Sequence, residues 1–167
     1  MNTPPTGPTL DIRANIEDAL RSYCRGIDRL HPQSIEDAFH AGAILEGYGA
    51  HEPMTIEVFV PQVIASLRAK YVATQHRLSN VTTETSGDTA LVESYVLAYH
   101  VAQHDDGRTL TTFNGRYIDH FETRDGAWKI AHRTLRMDWS DVSPMGNQLV
   151  GSYVHSGRDG SPDPIFG

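Results

Sequence analysis

The fold is decided by one run: TALVESYVLAYHVAQH (residues 89–104), DDGR (105–108), TLTTFNGRYIDHFETR (109–124), DG (125–126) and AWKIAHRTLRMDWS (127–140). The three long segments are rich in β-branched and aromatic residues, the composition of a pleated, half-buried surface. Both short connectors are tight-turn sequences, so the run reads as three antiparallel strands joined by hairpins. Just upstream, HRLSNVTTETS (76–86) alternates imperfectly and stops at the turn dipeptide Gly87-Asp88, giving one more strand. After Thr89 both alternations are apolar: Leu91, Tyr95, Leu97 and Tyr99 on one, Val92, Val96 and Ala98 on the other. Such a strand is expected to be covered on both faces.

Working back towards the N-terminus, the period changes from two to three-and-four. Ile12, Ile16, Ala19, Leu20, Tyr23, Ile27 and Leu30 mark a helix. Thr9 or Asp11 is placed to cap it, and Pro32 disfavours its continuation past Leu30. SIEDAFHAG (34–42) reads as a short second helix, with Ser34 and Asp37 as a capping box and Gly42 at its C-terminal turn. AILEGYG (43–49) reads as a short strand. A third helix is expected from about Phe59, with Pro61 in its first turn and Ile64, Leu67 and Tyr71 on its buried side. Helices first and long antiparallel strands afterwards give an α+β domain, and a strongly curved sheet wrapped around the helices leaves an apolar pocket between them. Residues 1–9 read as a loose Pro/Thr/Gly-rich arm, 10–142 as the domain, and 143–167 as a polar tail.

At 167 residues the chain suits one domain with a real core. The formal net charge of −7 argues against nucleic acid and favours small-molecule or protein partners. No apolar run is long enough for a bilayer, and MNTPPTGPTL lacks the basic start and apolar stretch of a secretory signal, so the cytosol is the default compartment. The single cysteine, Cys24, excludes an internal disulfide and reads as packing.

Nine histidines invite a search for chemistry. His31, His40, His51, His104 and His155 fall in loops or at element ends and read as solvent-exposed, while His120 and His132 read as outward-facing on strands. No HExxH or other tight pair occurs, so no metal site is expected. His76 differs in opening a strand beside the third helix, although intermediate burial is ordinary for histidine. Asp28, near the end of the first helix, falls about 135° from the centre of the apolar stripe, and periodicity alone calls it solvated.

The order of elements, with YCRGIDRL (23–30) early, TQHRLSNV (74–81) before the sheet and GRYIDHFETRDGAWKIAHR (115–133) at its close, resembles the SnoaL-like branch of the NTF2-like superfamily. That branch includes scytalone dehydratase, bile-acid 7α-dehydratase and hexachlorocyclohexane dehydrochlorinase. The resemblance spans about residues 11–139 and implies an NTF2-like cone, helices packed in a curved, mostly antiparallel sheet. It also implies cofactor-free chemistry by a dyad: His76 as general base and Asp28 as the carboxylate that orients its ring. Imidazole, with an ordinary pKa near ~6.5, suits proton abstraction from carbon at neutral pH. Tyr23 is the first candidate donor to a developing oxyanion, and equally a core tyrosine with a satisfied hydroxyl. Arg133 either holds Asp28 ionised, contacts substrate, or forms an ordinary surface ion pair. Tyr95 and Asn114, then Tyr48, Tyr99 and His100, are further polar candidates for the pocket. Phe59, Leu67, Tyr71, Phe113 and Trp139 are candidate apolar walls.

The resulting expectation is a dehydratase-type lyase or an isomerase acting on a hydrophobic, ring-containing small molecule such as a steroid or polyketide-like ketone. Two alternatives share the fold: a non-catalytic assembly subunit resembling the ring-hydroxylating dioxygenase β subunit, and a ligand-binding or polyketide-cyclising relative. The resemblance further implies a homodimer or homotrimer and a C-terminal tail, from Gly151 on, that covers a pocket.

Overall fold

The computed structural model describes residues 7–49 and 52–146; the tail from Gly151, His51 and His155 lie outside them. Helix α1 (Leu10–Arg29) is capped by Thr9, whose hydroxyl accepts from the amide of Ile12, and it ends at Leu30 in the left-handed conformation. The short helix α2 (Pro32–Glu36) follows, then strands β1 (Phe39–Glu46) and β2 (Met54–Thr55), helix α3 (Ile56–Lys70), and strands β3 (Ala73–Ser86), β4 (Thr89–His104), β5 (Gly107–Arg124) and β6 (Ala127–Met145). The six strands form one sheet in the order β2-β1-β6-β5-β4-β3. Every pairing is antiparallel except that of β1 with β6. The result is the expected α+β architecture: helices on the concave side of a curved, open sheet. No helix among the described residues is long and apolar enough to cross a membrane.

Bulges bend the strands. Register shifts fall between Ser79 and Thr82 of β3, between Asn114 and Gly115, and between His120 and Phe121 of β5. Each inserts a residue into one strand and increases its local twist and bend. Along β4 the even residues Ala90, Val92, Val96 and Ala98 are buried beneath the helices, while Leu91 is 50% and Tyr95 42% exposed. Coverage of β4 on both faces is therefore not met within one chain, because the helices lie on one side only.

Three element boundaries depart from expectation. The second helix starts and stops early: His31, not Ser34, caps α2, its Nδ1 accepting from the amide of Ser34 at 3.2 Å, and Asp37 is the C-cap. Phe39–Gly42 then belongs to a strand, and Gly42, at φ +72°, makes a bend within it rather than a helix terminus. Helix α3 begins at Ile56, so Pro61 sits inside it and deprives the carbonyl of Glu57 of its usual donor. Strand β6 runs on to Met145, past Ser140, where the strand pattern of the sequence stops.

Gly26 explains how α2 can fold back on α1. A Cβ there would lie 2.6 Å from Cγ1 and 2.8 Å from the backbone nitrogen of Ile35. The missing side chain lets α2 dock backbone-close and bury Ile35. The last turn of α1, which carries Asp28, is thereby pinned.

Candidate active site

Asp28 and His76 meet. Oδ1 of Asp28 lies 2.7 Å from Nδ1 of His76, and Oδ2 accepts the backbone N–H of the same residue at 2.8 Å. One carboxylate thus grips both the ring and the main chain of its partner, which fixes where the imidazole sits and which way it points. Asp28 is buried, at 8% exposure, against the reading from helical periodicity. The wheel accounts for the face of α1 that meets the core, but β3 crosses the end of the helix and covers a second side. His76 is the fourth residue of β3 rather than its first, opposite Ala98 of β4.

With Nδ1 engaged by Asp28, Nε2 is left for chemistry. His76 borders an apolar cavity of about 130 Å³ that is also lined by Tyr23, Tyr48, Leu67, His100 and Phe113, all expected in the site. Ile27, Val63, Ala98, Tyr117 and Leu135 complete the lining. The hydroxyls of Tyr23 and Tyr48 are 3.1 Å apart. Burial pushes the phenols of Tyr23, Tyr48 and Tyr117 well above their ordinary range, so all three stay protonated. The ring of His100 stands edge-on to His76 with centroids 5.4 Å apart, and Tyr71 packs on His100 at 4.9 Å. Phe59 belongs to the core beside Tyr48, with ring centroids 4.8 Å apart.

Other expected site residues lie elsewhere. Tyr95, Asn114 and Trp139 are on the outer face of the sheet, where Asn114 pairs in register with both Leu97 and Trp139. The alternation of the strands turns these side chains away from the cavity. Tyr99 shares that face, under the guanidinium of Arg77. Arg133 neither pairs with Asp28 nor lies at the surface. It is fully buried and binds Asp119 through two hydrogen bonds of 2.6 Å, Nε to Oδ1 and Nη2 to Oδ2. Its guanidinium carbon lies 4.3 Å from the ring centre of Tyr23 and 4.0 Å from that of Tyr117. Burial pushes the Asp119 carboxyl up against the pull of Arg133, while the carboxylate keeps the guanidinium charged. The positive charge in turn lowers the cost of ionising Tyr23, Tyr48 and Tyr117.

Asp119 and Tyr117 were missed by sequence reasoning, though a signal exists. They share parity with Phe113 and Phe121, so an acid sits on an apolar face and demands a buried cation. Among the histidines, His40 is buried rather than exposed, with Nε2 2.9 Å from the carbonyl of Glu122, and His31 caps α2. His104 is exposed at the end of β4, and His120 and His132 are outward-facing, as expected. No group of three or more metal-binding side chains occurs among the described residues. Cys24 is buried, and burial pushes its thiol up to about 12, which fits packing rather than nucleophilic attack.

This architecture recurs in solved structures. A hexachlorocyclohexane dehydrochlorinase (LinA) type 2 is 20% identical, with a TM-score of 0.72 over 87% of this chain and 97% of that one. A candidate aromatic ring hydroxylase from Novosphingobium aromaticivorans is 23% identical (TM-score 0.70, 83% and 96% covered). A candidate scytalone dehydratase from the same organism is 21% identical (TM-score 0.66, 89% and 99% covered). At these identities the likeness is one of fold. No curated protein matches the chain. The SnoaL-like domain matches residues 8–134, from the cap of α1 to the middle of β6, and the chain belongs to that family.

Proposed function

We propose that the protein is a cofactor-independent lyase that eliminates water or another small leaving group from a cyclic substrate, with His76 as general base and Asp28 as its orienting partner. The observation that carries this reading is the 2.7 Å contact between Asp28 and His76 at the wall of an apolar cavity. The carboxylate selects the ring tautomer with its proton on Nδ1, which leaves a lone pair on Nε2 facing away from Asp28. Nε2 takes a proton from carbon beside a carbonyl or allylic centre, and the C–H electrons form the new double bond. The bond to the leaving oxygen breaks, and the imidazolium returns its proton so that water departs. One of the paired hydroxyls of Tyr23 and Tyr48 donates to the other, and the proton left free meets the oxygen on which charge develops; Arg133 behind the Tyr23 ring favours that polarisation. A double-bond shift needs the same groups and ends with the proton returned to carbon. Two structural neighbours bear the names of eliminating enzymes, a dehydrochlorinase and a dehydratase.

Size limits the substrate. A cavity of ~150 Å³ holds benzene, and this one measures about 130 Å³. One six-membered ring fits, which favours a monocyclic ketone over a four-ring steroid. The test is a panel of cyclic β-hydroxy ketones and allylic alcohols, watched for a new conjugated chromophore. Wild type is expected to turn over a monocyclic member, and His76→Ala to lose ~10²–10⁴-fold in kcat/KM. Turnover that persists undiminished in His76→Ala removes the dyad from the mechanism.

The chain is also read as a homo-oligomer. Leu91, Tyr95 and Trp139 are 50%, 42% and 57% exposed on the outer sheet face, an apolar surface of the kind that pairs with a second copy.

A further inference from the structure

A second hollow also borders the dyad. It is a cleft of about 620 Å³ between α1 and the first half of β3, and His76 alone borders both it and the inner cavity. Its volume falls in the ~300–1,000 Å³ range typical of small-molecule sites. Leu20 and Cys24 from the helix, with Leu78 and Val81 from the strand, give it an apolar floor. The bulge between Ser79 and Thr82 keeps both strand residues on that side.

Four charged residues of α1 line the cleft, Glu17, Arg21, Arg25 and Asp28, and three are already engaged. Arg21 bonds Glu17 and Asp18, each at 2.8 Å. Asp28 commits both oxygens to His76. Arg25 remains. It is exposed, borders the cleft, and has no ion pair among the described residues. It precedes Asp28 by three residues, so both project from one side of α1. An apolar floor with a single uncommitted guanidinium at its edge has a defined complement.

We infer that the α1–β3 cleft binds a small amphipathic anion, an aromatic or alkyl body bearing a carboxylate or sulfonate. The body lies on Leu20, Cys24, Leu78 and Val81, and the head group pairs with Arg25. The site is separate from the inner cavity and does not depend on elimination chemistry there. A ligand in it borders His76, the residue the cleft shares with the inner cavity, so its occupancy is felt by the dyad.

The probe is 8-anilinonaphthalene-1-sulfonate, whose three rings exceed the inner cavity. The control is N-phenyl-1-naphthylamine, the same body without the sulfonate. Fluorescence titration of the full-length protein is expected to give saturable binding of the sulfonate at least tenfold tighter than the neutral dye. Arg25→Glu, a change at an exposed position, is expected to remove that preference, and Arg25→Lys to keep part of it. Val81→Trp, which fills the floor, weakens both dyes, and bound sulfonate shifts the His76 ring resonances. Equal affinity for the two dyes in wild type, or an undiminished preference in Arg25→Glu, overturns the proposal. So does a dye that binds without moving the His76 resonances.

Discussion

Arg133 has a different partner from those its sequence context suggests. Its place in the closing strand is plain from the sequence, but its partner is on the neighbouring strand and only the register of β5 against β6 pairs them. Bidentate contact with Asp119 and stacking on Tyr23 and Tyr117 compensate for removing a guanidinium from water. Arg133→Met strands a buried carboxylate and is expected to cost about 3–5 kcal/mol in urea unfolding. The double variant Arg133→Met/Asp119→Leu, which removes both charges, is expected to recover most of that loss. A single-variant loss below about 1 kcal/mol would mean that the pair is not the buried unit described. Asp28 teaches the converse. Its burial comes from a strand 48 residues away and leaves no trace in the periodicity of α1.

At the scale of elements, the long strands were legible because alternation and turn dipeptides are local signals. Asp125 and Gly126, at φ +53° and +79°, form the hairpin turn that the sequence calls for. The start of β1 was not legible, because the Ser34/Asp37 pair mimics a helix start while Gly42 mimics its end. What holds Phe39–Gly42 extended is tertiary: Ala38 receives a hydrogen bond from Ile130 of β6, and Glu57 of α3 accepts the amide of Gly42 at 2.7 Å. That amide bond holds the Glu57 carboxyl below its usual range. A lowered folded-state pKa gives stability above the unfolded value and loses it as pH falls through the folded one. Glu57→Gln is therefore expected to be less stable than wild type near pH 7, with the gap closing in acid. A gap that stays constant from pH 7 to pH 3 in chemical unfolding would contradict this. Gly26 yields a further test. Alanine there gains ~1 kcal/mol in helix propensity, yet its methyl meets Ile35 at 2.6 Å, an overpacking that costs ~1–3 kcal/mol. Gly26→Ala is expected to lower the unfolding midpoint, and a raised midpoint would show that α2 is free to move away.

For the whole molecule, the curved sheet does two things at once. Its concave side brings α1, α3 and four strands around one small cavity, and its convex side exposes Leu91, Tyr95 and Trp139 beside the ion pairs of Arg116 with Glu93 and Asp138. Sedimentation is expected to show a dimer or trimer, and Trp139→Glu to shift it towards monomer; a wild-type monomer at micromolar concentration would contradict that reading of the outer face. The proposed elimination rests on a helix carboxylate pressed against one imidazole, with Nε2 left as the base. Nitrogen-15 NMR of the His76 ring near neutral pH tests it most directly. The expected result is a ring proton on Nδ1, hydrogen-bonded to Asp28, and a bare Nε2, with that preference lost in Asp28→Asn. A proton on Nε2 in the wild-type protein, or a spectrum that Asp28→Asn leaves unchanged, would contradict it.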